Sequence, residues 1–119
     1  PYRYTTKYVA RYEAVISAEA PYVAFQADGD LIVCNYETKF FDVIFEKSPV
    51  GMDVCCISPR GESIFLSDYD SDRCAFVERA THKVALFHTF RRPIMSASFS
   101  YDGKYLLAEQ EGGSKGLIY

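Results

Sequence analysis

The chain has 119 residues, of which 49% are hydrophobic and 24% charged, and its formal net charge is −3. This size and composition are typical of one packed domain or part of one, because a disordered chain would have fewer apolar residues to bury. The small negative charge argues against nucleic acid as the main partner, since phosphate binding needs a concentrated basic surface. No apolar run approaches the roughly 20 residues that span a bilayer.

The composition favours β-strands over helices. Aromatic residues make up 16% of the chain, from ten Tyr and nine Phe, and Val and Ile are also frequent. No stretch of about ten residues combines a 3.6-residue apolar period with helix caps. We therefore expect an all-β chain with short, regularly spaced strands.

Three segments repeat one pattern, in which an apolar strand ends at a serine, a four-residue turn follows and a second apolar strand begins. In chain order the strand pairs are 14–17 with 22–25, 55–58 with 63–66, and 97–100 with 105–108. The serines that end the first strands, Ser17, Ser58 and Ser100, are 41 and then 42 residues apart. This spacing matches the roughly 40–45 residues of a four-stranded propeller blade. We expect these serines to close turns by hydrogen bonds rather than to act as nucleophiles.

Further predicted strands fill the intervals between these hairpins. They cover residues 31–36 and 40–45, on either side of a turn at 37–39, and residues 74–79 and 84–90, on either side of a turn at 81–83. Each repeat can then be read as an outer strand followed by three inner strands. The resulting repeats are approximately 3–36, 40–79 and 84–119.

The residues of these hairpins carry a family resemblance. The segment from Phe99 to Ala108 resembles the inner hairpin of WD-repeat blades, and the segment from Asp28 to Lys39 is similar to the third strand and the turn after it. The family's signature dipeptides are absent: Cys34-Asn35 and Glu78-Arg79 stand at the Trp-Asp positions, and no Gly-His precedes an inner strand. The resemblance covers nearly the whole chain and implies degenerate WD-repeat-like blades. Another propeller family with the same hairpin is an equally good interpretation.

A whole propeller needs roughly four to eight blades, so three repeats cannot close a ring. We therefore expect an all-β fold of about three four-stranded antiparallel blades, with residues 1–119 forming part of a larger propeller. In the family's register, the third repeat reaches its Trp position at Tyr119, where the sequence stops. The missing blades would come from a longer chain, a second copy or a partner protein.

The resemblance implies a protein–protein interaction scaffold, because propellers present loop-lined faces on a rigid framework. Tyr and Arg often anchor protein interfaces. The loop residues of these types that we expect to contact partners are Tyr69, Arg91, Arg92 and Tyr101.

Phosphoinositide binding is the alternative function. The segment Phe90-Arg91-Arg92-Pro93 resembles the Phe-Arg-Arg-Gly motif of the PROPPIN propellers, although Pro replaces the Gly. Each guanidinium can donate two parallel hydrogen bonds to a phosphate group. On this interpretation Arg91 and Arg92 would bind the lipid phosphates.

An acidic stretch is a weaker candidate for a calcium site. Asp68, Asp70 and Asp72 alternate along it and offer the oxygen ligands that Ca²⁺ requires. However, Arg73 replaces the usual Gly, and Arg79 stands where a bidentate Glu is expected. We therefore favour a solvated loop over a metal site.

Histidine and cysteine patterns predict neither an enzyme nor a cofactor. His82 and His88 have no nucleophile in their local pattern. The four cysteines have no C-x-x-C pair and no zinc-site spacing, so we expect buried free thiols in a reducing compartment, either cytoplasmic or nuclear. The adjacent Cys55 and Cys56 are expected to point to opposite faces of their strand.

Overall fold

A computed structural model describes residues 14–27, 30–45, 52–68, 73–88, 94–110 and 115–117. These residues form eleven β-strands, and none of them lies in a helix. The predicted all-β class is therefore confirmed for this part of the chain.

The strands form three antiparallel sheets that follow one another in chain order. The first sheet contains β1 (Val15–Ile16), β2 (Tyr22–Ala27), β3 (Asp30–Asn35) and β4 (Phe40–Phe45). The second contains β5 (Met52–Ile57), β6 (Ser63–Asp68), β7 (Arg73–Glu78) and β8 (Val84–His88). Within the described ranges, the third contains β9 (Ile94–Phe99), β10 (Leu106–Gln110) and β11 (Lys115–Leu117), and no sheet closes on itself.

The sheets do not have the same boundaries as the sequence repeats, because each sheet begins one strand later than the corresponding repeat. Strand β4 pairs with β3 over residues 31–35 and 40–45, and β8 likewise pairs with β7. The sheets therefore run from 15 to 45, from 52 to 88 and from 94 to 117. The strand that opens the second or third sequence repeat is the last strand of the preceding sheet.

The three serines at the ends of the first strands close their turns with the same two hydrogen bonds. In each turn the serine N–H donates to the carbonyl oxygen five residues later, at 2.9 Å for Ser17, 2.9 Å for Ser58 and 2.8 Å for Ser100. The serine Oγ accepts the N–H of that same later residue, at 3.2, 2.9 and 3.0 Å respectively. The predicted turn-closing role of these serines is confirmed.

The turns that connect the third and fourth strands also repeat. The Lys39 N–H donates to the Asn35 carbonyl, and the His82 N–H donates to the Glu78 carbonyl, both at 2.8 Å. Lys39 and His82 have φ angles of 65° and 62°, in the left-handed region that residues other than Gly seldom adopt. The first two sheets therefore share backbone detail as well as strand order.

Two hydrophobic cores lie between the sheets. One joins the first and second sheets and includes Leu31, Val33, Ile64 and Leu66. The other joins the second and third sheets and includes Phe65, Cys74, Ile94, Leu106 and Ala108. Because successive side chains of a strand point to opposite faces, the run from Ile64 to Leu66 supplies both cores. Strands β6 and β7 of the second sheet thus contribute buried side chains to both cores, whereas Val84 and Leu86 of its outer strand β8 are exposed.

The first strands of successive sheets lie next to one another. Strand β5 contacts β1 and β2, and β9 contacts β5 and β6. The Gln26 Oε1 accepts the Val54 N–H at 2.9 Å, and the Glu19 N–H donates to the Pro59 carbonyl at 2.7 Å, so side-chain and backbone hydrogen bonds join the first two sheets.

A β-bulge changes the orientation expected for the adjacent cysteines. Val54 lies opposite Leu66 and Cys56 lies opposite Phe65, so Cys55 is an extra residue in β5. Both cysteines pack against the core between the second and third sheets. The expectation that they point to opposite faces is therefore wrong, because a bulge breaks the alternation of side chains. None of the four cysteines forms a disulfide; Cys34 and Cys74 are buried, as predicted, whereas this pair is half-buried.

Candidate protein-interaction surface

Five turns lie at one end of the stacked sheets. In an antiparallel sheet the first and third strands end at the same side, so the turns after β1, β3, β5, β7 and β9 share it. The hydrogen bond between Glu19 and Pro59 holds the first two serine turns together. Gly103 of the third serine turn lies against Ser58 and Pro59 of the second. We call this surface the serine-turn edge, and it comprises residues 17–22, 36–39, 58–63, 79–83 and 100–105.

Tyr101 is the most exposed aromatic residue of the serine-turn edge, with 83% of its surface accessible. Three further aromatic side chains on or beside this edge are also exposed, namely Tyr36, Phe40 and Tyr105. The sequence reasoning selected Tyr101 and missed the other three, although each of them flanks a predicted turn. Aromatic side chains that are exposed in a free protein often serve as anchors of protein interfaces.

The turn that carries Tyr101 is held by side-chain hydrogen bonds. The Ser100 hydroxyl donates to Asp102 Oδ1 at 2.7 Å, and the Lys104 N–H donates to the same oxygen at 3.0 Å. These hydrogen bonds, that from Ser100 first, lower the pKa of the Asp102 carboxyl below its usual value. A turn that is already ordered loses less conformational entropy when a partner binds.

The charges of the serine-turn edge are of both signs. The exposed acidic residues are Glu19, Glu37, Glu62 and Asp102, and the exposed basic residues are Lys39, Arg60, Lys83 and Lys104. A surface of mixed sign does not provide the concentrated positive charge that a nucleic acid requires. It suits a partner with charges of both signs, as most protein surfaces have.

An apolar cleft of about 880 Å³ lies between the second and third sheets and includes turn residues of the serine-turn edge. Its apolar lining includes Phe76, Val84, Phe99 and Leu106, while Lys83 and Lys104 line it from two turns of the edge. Pockets of roughly 300–1,000 Å³ with this mixture of apolar walls and a few polar groups are typical binding sites. This cleft could not be predicted from local sequence patterns, because it forms where two sheets come together.

Arg79 links the serine turns of the first two sheets. Its guanidinium carbon lies 4.1 Å from the centroid of the Tyr22 ring, and its Nε donates to the Gly61 carbonyl at 2.7 Å. A cation over an aromatic face is attracted by the negative charge of the ring face. Arg79 stands in one of the Trp-Asp positions of the family register. Its side chain joins the first serine turn to the second, because it contacts Tyr22 of the first and Gly61 of the second.

The first of the calcium candidates is already paired. Asp68 was expected in a loop, but it is the last residue of β6 and only 5% exposed. Its Oδ2 lies 2.9 Å from Arg73 Nη2 and 3.3 Å from Arg73 Nε across the β6–β7 hairpin. Asp70 and Asp72 lie outside the described residues. Among the residues that the structure does describe, no group of three or more His, Cys, Asp or Glu side chains could hold a metal ion.

The remaining predicted contact residues, Tyr69, Arg91 and Arg92, lie outside the described residues, so their roles stay predictions. They follow β6 and β8 in the chain, and both of these strands end away from the serine-turn edge. The ends of β6 and β8, which precede Tyr69 and the two arginines in the chain, therefore lie away from Tyr101.

His82 lies in an exposed turn, as predicted. Its Nε2 is 3.5 Å from Asp42 Oδ2, so it connects the second sheet to the outer strand of the first. His88 ends β8, and its side chain is outside the described part of the structure. The His82 side chain therefore contacts a carboxylate of the neighbouring sheet.

No protein-family model and no curated protein matches this chain. In the ranges that the structure describes, no helix has the length and apolar character needed to cross a membrane. Function therefore has to be inferred from the fold and from the serine-turn edge.

Proposed function

We propose that this chain is a β-propeller segment, similar to WD-repeat blades, that acts as a protein–protein interaction scaffold. The observation that carries the proposal is the stack of antiparallel sheets, with first strands side by side and five turns at one edge. Propeller blades are four-stranded sheets arranged around a central channel. The first two sheets have this strand number, and successive sheets meet through their first strands.

The burial of the second sheet supports blades over a two-layer sandwich. In a sandwich each sheet buries one face against the other sheet. Here Ile64 and Leu66 are buried against the first sheet, while Phe65 is buried against the third. Further blades, from a longer chain, a second copy or a partner, would pack on the outward faces, where Ile16 and Leu107 are exposed.

The serine-turn edge offers the chemistry of a protein-binding surface. Tyr101 projects from an ordered turn, and the apolar cleft beside Lys83 and Lys104 could receive a side chain of the partner. Interfaces derive most of their affinity from a few buried aromatic or Arg anchors that fill such pockets. The partner is therefore a folded protein or peptide that presents an apolar side chain among mixed charges.

Alanine substitution at the edge tests this proposal. We expect Tyr101→Ala to weaken the binding of a captured partner about tenfold or more, as the loss of an interface anchor does. Leu86→Ala is the matched control, because Leu86 is 63% exposed but lies on the outer strand β8 and not at the edge. The control should retain the wild-type Kd. Unchanged Kd values for Tyr101→Ala, with the partner still captured, would count against the edge as the binding surface.

A vesicle-binding assay tests the phosphoinositide alternative, which stays a prediction. The variant with Arg91→Glu and Arg92→Glu is compared with wild type on phosphatidylcholine vesicles with and without phosphoinositide. Binding only to the phosphoinositide vesicles, lost in this variant and in high salt, would favour the membrane function over the scaffold. Equal and weak binding to both vesicles would exclude it. Tyr69→Ala in the protein-capture assay tests the remaining predicted contact residue.

A further inference from the structure

The cleft between the second and third sheets has an aromatic floor. Phe76 of β7 and Phe99 of β9 line it, with their ring centroids 6.3 Å apart and the rings tilted at 58°. Phe76 also contacts the fully buried Phe65, whose ring centroid is 5.2 Å away, so the floor is continuous with the core. Phe76 and Phe99 are themselves only half-buried, and their rings therefore leave apolar surface for a ligand to cover.

The corresponding positions between the first and second sheets are closed. Val33 corresponds to Phe76, because each lies two residues before the residue whose carbonyl closes the following turn. Ile57 corresponds to Phe99, because each directly precedes a serine that closes a turn. Val33 is 1% exposed and Ile57 is 7% exposed, and both belong to the core between those two sheets. The partly open aromatic floor is therefore a feature of the second interface and not of the repeat.

Two lysines from different sheets line the cleft where it meets the serine-turn edge. Lys83 ends the turn after β7, Lys104 lies in the third serine turn, and both residues are exposed. Neither lysine forms an ion pair with a carboxylate of the described residues. Glu78 is the acidic residue of the described lining. The Asp102 carboxylate nearby already accepts hydrogen bonds from the Ser100 hydroxyl and the Lys104 N–H, so positive charge predominates at the cleft.

We propose that the cleft binds an extended peptide segment that inserts an aromatic or large aliphatic side chain and carries acidic residues beside it. The inserted side chain covers Phe76 and Phe99, and the flanking carboxylates pair with Lys83 and Lys104. The volume of about 880 Å³ lies in the upper part of the range of ligand pockets, so more than one side chain fits. This inference rests on the proposed function, since it specifies the partner that the serine-turn edge binds.

Peptide titrations of the full chain, followed by its amide resonances in NMR spectra, test the proposal. The probe is a capped pentapeptide with two Asp on either side of one Phe, compared with peptides in which Ala replaces Phe or Lys replaces Asp. We expect saturable shifts at the cleft residues, with a Kd about tenfold weaker for the Ala peptide and about fivefold weaker for the Lys peptide. Because the net charge of the chain is −3, non-specific attraction would favour the Lys peptide instead.

Three results of these titrations would overturn the proposal. They are shifts centred away from the cleft, equal Kd values for the three peptides, and no saturable shift at the cleft because another strand of an assembly covers it.

A charge-reversal variant distinguishes this inference from the proposed function. In the double variant Lys83→Glu with Lys104→Glu, the preference should invert, so that the Lys peptide binds about fivefold more tightly than the Asp peptide. Arg60→Glu is the matched control, because Arg60 is an exposed basic residue of the second serine turn that does not line the cleft. The control should keep the wild-type preference. An unchanged preference in the double variant would overturn the cleft proposal, whereas weaker partner capture by Tyr101→Ala would still support the interaction scaffold.

Discussion

Gly61 and Gly103 occupy the same position in two serine turns, three residues after the serine. Their φ angles are 75° and 76°, and each N–H donates to the carbonyl of its serine at 2.9 Å. Their surroundings differ. A Cβ on Gly61 would lie 2.5 Å from Tyr22 Cδ2, whereas a Cβ on Gly103 would lie 3.6 Å from Pro59 Cδ. A comparison of the same substitution at these two glycines therefore distinguishes the cost of backbone strain from the cost of a side-chain clash.

Alanine at these glycines should cost different amounts of stability. Gly103→Ala pays only for the left-handed backbone, about 1–2 kcal/mol. Gly61→Ala adds a clash with the Tyr22 ring, for a total of about 2–5 kcal/mol. Urea denaturation of both variants gives the two free energies of unfolding. Equal losses would show that Tyr22 does not pack against Gly61 as described.

The Asp102 turn predicts a pH dependence. The folded-state pKa of Asp102 is lowered, so its carboxylate stabilises the fold above the unfolded-state pKa of about 3.9. This stabilisation is lost as the pH falls through the lowered folded-state value. Asp102→Ala should therefore melt below wild type at pH 6, and the difference should vanish in strongly acidic solution. A difference in melting temperature that stays constant across this range would contradict the carboxylate's role.

At the scale of single residues, the features that could be predicted from sequence are those that depend on neighbouring residues in the chain. The hydrogen-bonding role of the three serines and the exposure of Tyr101 were predictable, because both depend on a turn of about six residues. The stacking of Arg79 on Tyr22 joins residues of two sheets, and nothing near either residue indicates it. The bulge at Cys55 likewise has no local signal, because register is set by pairing with β6.

The serine turns are the repeated element of this fold. In the second and third turns, a single serine side chain satisfies a backbone N–H that would otherwise lose its partner. In the first turn, the Tyr22 N–H also donates to the Ala20 carbonyl at 2.9 Å. Their chain positions, and the strands on either side, were predicted from apolar runs and spacing. The division into sheets was harder to predict, because a sequence repeat does not show whether strand 40–45 pairs with the strand before it or the strand after it.

Substitution of one serine tests whether its side chain stabilises the turn. Ser58 is 4% exposed, and its Oγ accepts the Ser63 N–H at 2.9 Å. Ser58→Ala removes the side-chain acceptor of that part-buried N–H and should cost about 0.5–1.5 kcal/mol, the net contribution of a typical hydrogen bond. Ser96→Ala is the control, since Ser96 is exposed and its contact with Glu109 is 3.4 Å long. Thermal or urea unfolding that shows equal effects would exclude the turn-closing role.

At the scale of the whole molecule, three sheets meet through two cores, and strands β6 and β7 of the middle sheet contribute buried side chains to both. Blade number and partners do not follow from the residues, because both depend on surfaces beyond these sheets. The alternating apolar strands and the blade-length spacing did predict that such sheets would form. Leu107 is exposed on the outward face of the third sheet, and the propeller proposal places a further blade there.

A crystal structure of the assembled protein is the most direct test of the propeller proposal. We predict successive sheets arranged around one axis, with β1, β5 and β9 nearest to it and the serine-turn edge on one face of the ring. A further sheet should cover Leu107. Sheets that pair as a two-layer sandwich, or that continue into one closed barrel, would contradict the proposal.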